Sequence, residues 1–243
     1  MTRIATAMVL AAGLGTRMRP LTLTKPKCLV TVGGVTLIDH MLDRLVAAGV
    51  ERVVVNVHAF ADMLEAHLRT RKDVEILISD ERERLMDTGG GVRKALKLIG
   101  DAPYIHCNTD SIWEEPHGSA IARLVAGFNP ATMDARLMLA DMNNCLGFDS
   151  PGDFTQDAAG RITLRGDAPS APFAWTGVQI VNPAIVASEP VEMFSFKRLW
   201  LRAQAAGRLH GAPLGGFWMH VGDPGARDEA EARLMRNAVA VPI

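Results

Sequence analysis

A glycine-rich turn and a group of basic residues lie close together near the start of the chain. The apolar run from Ile4 to Leu10 continues directly into Ala11-Ala12-Gly13-Leu14-Gly15-Thr16-Arg17. This order predicts a buried strand that ends in a turn whose backbone N–H groups are open to an anion. Positive charges follow at Arg17, Arg19, Lys25 and Lys27. Together these features predict a site for a polyphosphate.

A second candidate for chemistry is Asp110, which follows the apolar run 103–107 and the polar pair Asn108-Thr109. Mg²⁺ prefers hard oxygen ligands and needs only one or two carboxylates when phosphates complete its shell. We therefore expect Asp110 to bind a divalent metal. The alternative interpretation is that Asp110 caps a helix that follows it.

Alternating strands and helices would bring these residues together. The sequence predicts strands at 4–10, 52–57, 74–79 and 103–107, and helices at 37–46, 60–68 and 91–99. Such a βα repeat predicts an α/β fold with a doubly wound, mainly parallel, Rossmann-like mixed sheet that carries helices on both faces. Ligands of these sheets bind beyond the carboxyl ends of the strands. The glycine-rich turn and Asp110 should therefore share one cleft.

The second half of the chain has a different pattern. Predicted strands at 136–142, 161–164 and 178–181 are joined by loops rich in Pro and Gly, and helices are predicted at 196–206 and 227–238. No linker long enough to separate two domains is present. We therefore expect residues 1–243 to form a single domain.

Composition excludes several classes of protein. The chain has 243 residues and a formal net charge of −1, which argues against a general nucleic-acid binder. Its three cysteines, Cys28, Cys107 and Cys145, are widely spaced, which favours a reducing compartment over a disulfide framework or zinc site. No apolar stretch reaches the length of a membrane span or a signal sequence. We expect a cytoplasmic protein without nucleic-acid or membrane partners.

The glycine-rich turn matches neither the Walker A loop nor the dinucleotide-binding fingerprint. Instead, Gly13-Leu14-Gly15-Thr16-Arg17-Met18 with Pro20, followed by Lys25-Pro26-Lys27, resembles the signature of the nucleoside-triphosphate transferases that make nucleotide sugars. The resemblance covers most of the chain and implies a glycosyltransferase-A-like fold. It also implies that the substrates are a nucleoside triphosphate and a sugar 1-phosphate.

The resemblance implies roles for individual residues. Arg17, Lys27 and Asp110 are the expected catalytic residues: Arg17 would face the leaving pyrophosphate, Lys27 the reacting phosphates, and Asp110 would bind Mg²⁺ or Mn²⁺. The nucleotide-binding residues, expected in the half 1–115, are Leu10, Ala11, Ala12, Gly13, Gly15, Thr16, Arg17, Glu81, Thr88, Gly89 and Asn108. The sugar-phosphate-binding residues are Lys27 with Gly147, Asp153, Thr176 and Gly177, the last four in the half 116–243, which also carries the C-terminal helices. The competing interpretation of 88–91 is a helix start whose small residues permit close packing.

The second metal ligand departs from the family pattern. Related enzymes carry Trp-x-Asp-x-Gly-Thr near the C-terminus, whereas this chain has Trp218-Met219-His220-Val221-Gly222-Asp223. Three outcomes stay open: His220 binds the metal or a phosphate, Asp223 replaces the missing aspartate, or Asp110 is the sole direct ligand. An imidazole ligand suits Mn²⁺ or Zn²⁺ better than Mg²⁺. Asp223 could instead cap a helix before Pro224.

The segment Thr88-Gly89-Gly90-Gly91 resembles the uridylyltransferases that act on N-acetylmuramate 1-phosphate in peptidoglycan recycling. Arg165 stands where many hexose-type relatives carry a lysine that holds the sugar phosphate. The alternatives are a mannose-1-phosphate guanylyltransferase, another hexose-1-phosphate enzyme, and a catalytically silent nucleotide-binding subunit. In each case we expect a monomer or a small homo-oligomer.

Overall fold

A nine-stranded mixed sheet forms the centre of the molecule. A computed structural model describes residues 3–239. The strands are β1 Thr6–Leu10, β2 Thr31–Val32, β3 Val35–Thr36, β4 Arg52–Val57, β5 Glu75–Asp80, β6 Tyr104–Asn108, β7 Ser111–Trp113, β8 Ala135–Asp141, β9 Cys145–Leu146, β10 Phe154–Gln156, β11 Ile162–Leu164, β12 Phe173–Val181, β13 Leu209–Pro213 and β14 Trp218–His220. The helices are α1 Leu37–Ala47, α2 Ala61–Leu68, α3 Asp87–Ile99, α4 Ala120–Ala126, α5 Ala184–Ala187, α6 Lys197–Ala205 and α7 Pro224–Val239.

The sheet combines a parallel half with an antiparallel half. Strands β6, β1, β4 and β5 are parallel neighbours in that order. The long strand β12 then pairs antiparallel with β8 along one side and with β6 and β10 on the other, while β13 runs parallel to β8. Strands from both halves of the chain thus share one sheet, and the predicted α/β architecture is confirmed.

Helices cover both faces of the sheet, as the sequence predicts. The alternation along β4 sends Val53 and Val55 into one core with α1, α2 and α4, while Val54 joins a second core with α3, α5 and α6. Both cores are lined by fully buried aliphatic and aromatic side chains. A sheet that is largely apolar on both faces requires this double cover.

A small second sheet contains β14, the last strand of the part of the chain that the structure describes. Its order is β7-β14-β9, with His220 of β14 opposite Ser111 of β7. One further hydrogen bond joins the backbone N–H of Val221 to the carbonyl oxygen of Asp110, at 2.8 Å. This pairing places the segment around residue 220 beside Asp110. The sequence does not predict it, because strands of two or three residues are too short to show a hydrophobic periodicity.

The start of one helix differs from the prediction. Helix α3 begins at Asp87 rather than at residue 91, so the glycines lie in its first turns. A Cβ added at Gly89 would lie 2.3 Å from Cε2 of Phe194, and one at Gly90 would lie 2.1 Å from the carbonyl oxygen of Glu192. These glycines therefore permit close packing of α3 against a distant loop. Within residues 3–239 no helix has the length and apolar character needed to cross a lipid bilayer.

Candidate active site

A cavity of about 250 Å³ opens at the carboxyl ends of β1, β4 and β6. Its lining residues are Leu10, Ala11, Ala12, Gly13, Lys27, Cys28, Asn56, Glu81, Leu85, Asp87, Thr88, Asn108, Thr109 and Asp110. The prediction that the glycine-rich turn and Asp110 share one cleft is confirmed. The cavity also brings together several of the residues predicted to bind the nucleotide, namely those at 10–13, Glu81, Thr88 and Asn108.

Asp110 lies at the centre of a charged cluster at one end of the cavity. Its Oδ2 accepts a hydrogen bond from Nζ of Lys27 at 2.7 Å and lies 3.5 Å from Nε2 of His220. Burial by itself would raise the pKa of Asp110, but the charge of Lys27 and the contact with His220 hold that pKa well below its usual range. The carboxylate is therefore ionised at neutral pH, and Lys27 is fixed at the cavity wall.

His220 is held in a single orientation by its surroundings. Its Nδ1 lies 2.9 Å from the carbonyl oxygen of Gly147, and its ring packs edge-on against Phe148. Gly147 adopts a left-handed conformation with φ of +72°, and a Cβ there would lie 2.2 Å from the carbonyl oxygen of His220. Burial opposes protonation of the ring, but the carboxylate of Asp110 raises the pKa of His220 overall. Gly147, predicted to contact sugar phosphate, thus lies directly against His220.

Asp223 is engaged at the start of the last helix. Its Oδ1 accepts a hydrogen bond from the backbone N–H of Ala226 at 3.0 Å, which is the geometry of a helix N-cap. The structure therefore brings His220 rather than Asp223 against Asp110. A metal-binding role for Asp223 stays a prediction.

The residues after Gly13 form a separate wall beside the cavity. Gly15 has φ of +64° and its carbonyl oxygen accepts a hydrogen bond from Oγ1 of Thr22 at 2.7 Å. A Cβ at Gly15 would lie 3.0 Å from Cβ of Lys27, so the turn packs directly against that lysine. Thr16 and Arg17 are exposed on the following short 3-10 turn.

Arg17 is directed toward the end of β14. A Cβ added at Gly222 would lie 3.5 Å from an Nη atom of Arg17. Arg17 does not line the 250 Å³ cavity, but its guanidinium lies close to the segment that carries His220. The basic side chains of Arg17, Lys27 and His220 are thus distributed around one end of the cleft.

Away from the charged cluster the cavity is lined by a buried polar pair, the predicted Glu81 and Asn56, which the sequence analysis missed. Oδ1 of Asn56 accepts hydrogen bonds from the backbone N–H groups of Ala11, at 2.7 Å, and Ala12, at 3.3 Å. Its Nδ2 donates to Oε1 of Glu81 at 2.8 Å. A lone amide at the end of the run Arg52–Val57, otherwise rich in valine, is the signal that could have identified Asn56.

The start of α3 closes this end of the cavity. Oγ1 of Thr88 accepts a hydrogen bond from the backbone N–H of Phe196 at 2.9 Å, and Thr88 lines the cavity. Gly89 does not line it: its N–H donates to the carbonyl oxygen of Phe194 at 2.9 Å. The structure thus supports the packing interpretation of Gly89, and a direct contact of Gly89 with a nucleotide stays a prediction.

The remaining predicted sugar-site residues lie beyond the cavity lining. The half-buried Asp153 accepts a hydrogen bond on Oδ2 from the backbone N–H of Trp175 at 3.0 Å, and burial raises the pKa of Asp153. The buried Thr176 donates to the carbonyl oxygen of Met138 at 3.0 Å. Gly177, with φ of +84°, packs behind the cavity wall, where a Cβ would lie 3.1 Å from Cβ of Asn108.

The charged cluster offers ligands for a metal ion that would be bound partly by the protein and partly by phosphate oxygens. Within residues 3–239 no group hydrogen-bonds Oδ1 of Asp110, and no three His, Cys, Asp or Glu side chains converge on one point. The protein therefore offers one free carboxylate oxygen and the neighbouring His220 imidazole. Mg²⁺ in phosphate-binding sites commonly uses one or two carboxylates with phosphates and water. The residues present fit such an ion.

Comparison with known proteins agrees with this geometry. The sequence profile described as nucleotidyl transferase matches residues 6–141. The chain is 52% identical to the N-acetylmuramate alpha-1-phosphate uridylyltransferase of Caulobacter vibrioides, over 94% of this chain and 96% of that protein. It is 30% identical to a mannose-1-phosphate guanyltransferase of Aspergillus fumigatus, over 90% of this chain but 61% of that protein.

The fold is shared with solved structures of much lower sequence identity. The inositol-1-phosphate CTP transferase from T. maritima superposes with a TM-score of 0.79 at 16% identity, over 99% of this chain and 98% of that chain. The overall arrangement of sheet and helices is therefore common to both proteins. With the profile match and the 52% identical relative, these findings show that the chain is an enzyme of the nucleotidyl transferase family.

Proposed function

We propose that this enzyme transfers UMP from UTP to N-acetylmuramate 1-phosphate and releases pyrophosphate. The observation that carries the proposal is the pair formed by Lys27 and Asp110, 2.7 Å apart, at one end of a cavity that Glu81 lines at its other end. The choice of UTP and of this sugar phosphate is supported by the name of the 52% identical relative.

The chemistry requires the neutralisation of charge between two anions. A phosphate oxygen of the sugar phosphate attacks the α-phosphorus of UTP, and the bond from that phosphorus to the bridging oxygen of the pyrophosphate breaks. No protein nucleophile is required, so the protein contributes positioning and electrostatic stabilisation. In this proposal the Lys27 ammonium contacts the α-phosphate and sugar phosphate. The N–H groups around Gly13 and Gly15, with the Arg17 guanidinium, bind the β- and γ-phosphates.

Asp110 would hold Mg²⁺, or Mn²⁺, through its carboxylate, with His220 as the neighbouring donor. When bound, the cation would offset negative charge on the phosphates. The binding of Nδ1 of His220 to a carbonyl oxygen is the arrangement that orients metal-ligating histidines in proteins, because it directs Nε2 toward the ligand position. Asp223 as a ligand is the competing prediction, and Asp223→Asn, which removes the charge but keeps a side chain able to cap the helix, separates the two by its effect on metal affinity.

Base selection is proposed to depend on the carboxylate of Glu81. Uracil presents an N3–H donor, which a carboxylate accepts, whereas cytosine presents a lone pair at the same ring position. The proposal includes a sugar site formed by Gly147, Asp153, Thr176 and Gly177. These four residues would lie around the ring of the sugar phosphate, beyond the charged cluster.

In the cell, we place this enzyme in the cytoplasm, in the recycling of cell-wall sugars. The three free cysteines and the net charge of −1 support a reducing compartment and small-molecule substrates without nucleic-acid or membrane partners. The enzyme is proposed to act as a monomer or a small homo-oligomer.

Pyrophosphate release measured with UTP, GTP, CTP and dTTP against several sugar 1-phosphates tests the proposal. The expected result is the highest kcat/KM for UTP with N-acetylmuramate 1-phosphate. Guanylyl transfer to mannose 1-phosphate predicts turnover with GTP instead. An absence of turnover with UTP and every N-acetylated sugar phosphate would refute the proposed substrates, and nucleotide binding without any turnover would identify a silent binding subunit.

A further inference from the structure

Asn56 connects the two ends of the cavity through one buried amide. Its side-chain oxygen accepts from the backbone N–H groups of Ala11 and Ala12, and its side-chain nitrogen donates to Glu81. Asn56 is 3% exposed and Glu81 is 0% exposed, so water does not replace these bonds. Ala11 lies 45 positions and Glu81 lies 25 positions from Asn56 in the chain.

The polarity of this network permits a single arrangement. The amide oxygen faces N–H donors and the amide nitrogen faces a carboxylate, so a flipped amide would oppose donor to donor and acceptor to acceptor. The other carboxylate oxygen of Glu81 accepts from the backbone N–H of Met86 at 3.1 Å. Helix α3 closes the remaining side, because a Cβ at Gly91 would lie 2.7 Å from Oε1 of Glu81. Glu81 is thus held in one orientation by its neighbours.

From this geometry we propose that Asn56 is a positioning residue for the nucleotide. It orients the Glu81 carboxylate at the base end and holds the Ala11–Ala12 peptide in register at the phosphate end. The inference rests on the proposed nucleotidyl-transfer function, since it assigns the nucleoside triphosphate to this cavity. Asn56 itself has no catalytic role in it, because both of its polar atoms are bonded to protein groups.

The substitution Asn56→Asp tests the polarity of the network at almost constant volume. The introduced carboxylate would oppose one of its oxygens to Oε1 of Glu81, which would then lose the donor it accepts from. Because this buried oxygen of Glu81 would be left without a donor, we expect the Kd for UTP to rise by about tenfold or more. Calorimetric titration with UTP, without the sugar phosphate, measures this Kd. The KM for the sugar phosphate is expected to stay within about twofold, because a positioning defect at the base end leaves that subsite in place.

The double variant Asn56→Asp with Glu81→Gln distinguishes positioning from general damage to the fold. The introduced glutamine can donate through Nε2 to the introduced aspartate while its Oε1 still accepts from Met86, so every hydrogen bond of the network has a partner again. Asn56→Asp should therefore weaken UTP binding in the wild-type background and improve it in the Glu81→Gln background, a change of sign that defines coupling. Where the single variant does not fold, the comparison of Glu81→Gln with the double variant decides alone.

The matched control is Asn237→Asp, whose amide donates to the carboxylate of Glu114 at 2.7 Å on the surface. It has the same change of charge and is expected to leave the UTP Kd unchanged. The proposal is overturned by a folded Asn56→Asp variant with wild-type UTP affinity, or by a double variant that binds UTP no better than Glu81→Gln. If the wild-type enzyme binds UTP but makes no nucleotide sugar, the proposed reaction fails while this binding test still holds.

Discussion

The substitution Gly147→Ala tests whether a glycine is needed at this position for close packing against His220 as well as for the left-handed backbone conformation. Gly147 has φ of +72°, where an L-residue costs about 1–2 kcal/mol. The added Cβ would also lie 2.2 Å from the carbonyl oxygen of His220 and 2.7 Å from Cβ of Ala226. Displacing packed groups by the ångström needed to relieve such contacts costs about 1–3 kcal/mol more. We therefore expect the free energy of unfolding to fall by about 2–5 kcal/mol.

The matched control is Gly34→Ala. Gly34 has φ of +79°, and no atom lies within 4 Å of the Cβ that would be added. This variant should lose about 1–2 kcal/mol through backbone strain alone and retain wild-type turnover. Urea denaturation followed by tryptophan fluorescence gives both free energies, and pyrophosphate release gives turnover. Because Gly147→Ala displaces the segment that carries His220, its kcat should fall as well.

The result that would refute this reasoning is equal destabilisation by the two substitutions. Equal losses would mean that the turn at Gly147 accommodates a methyl group and that its glycine serves only the left-handed conformation. Unchanged turnover in a destabilised Gly147→Ala variant would in turn show that the position of His220 is not required for the reaction.

Two further predictions concern the charged groups. Lys27→Met should lower kcat by about 10²–10³-fold in steady-state assays, because it removes the ammonium proposed to stabilise the reacting phosphates. The control Lys25→Met should lower kcat far less. Equal losses of kcat in the two variants would contradict the role of Lys27. Asp39 has its pKa lowered, since hydrogen bonds from Thr36, His67 and Arg71 outweigh the effect of burial. Its contribution to stability is thus present above the usual pKa of 3.8 and is lost as pH falls below it. Asp39→Asn should cost roughly 1–2 kcal/mol at pH 7 and progressively less as the pH falls below 3.8, measured by denaturation across this range; a cost that does not decline with pH would contradict the assignment.

The boundaries of the long elements in the first half could be predicted because their signals are local. The valine-rich run 52–57 coincides with β4, and α1 begins at Leu37 as predicted, directly after Thr36, whose Oγ1 accepts a hydrogen bond from the backbone N–H of Asp39 at 3.2 Å. Hydrophobic periodicity and capping involve residues a few positions apart, so they can be read from the chain alone. The start of α3 was misplaced because its glycines are set by contact with residues 192–194, which are distant in sequence.

The candidate site divides in the same way. The glycine-rich turn with Lys27, and the position of Asp110 after a strand, could be read from the sequence because each is a local motif at a strand end. Asn56 in a valine-rich strand is a weaker signal, because a single amide does not reveal which distant groups it bonds. The predicted sugar-site residues Thr176 and Gly177 lie in an irregular part of β12, where the pairing register with β8 shifts between Trp175 and Gln179. Such a shift is invisible to periodicity.

The sequence by itself determined that strands alternate with helices, that a glycine-rich turn with basic residues follows the first strand, and that Asp110 follows another. Only the tertiary structure decided that His220 rather than Asp223 lies beside Asp110, and that Asn56 joins Glu81 to the glycine-rich turn. The reason is physical. Lys27 and Asp110 are 83 residues apart in the chain, and contacts of this kind depend on the register of strands and the packing of small residues such as Gly147. Those are properties of the assembled sheet rather than of any local segment.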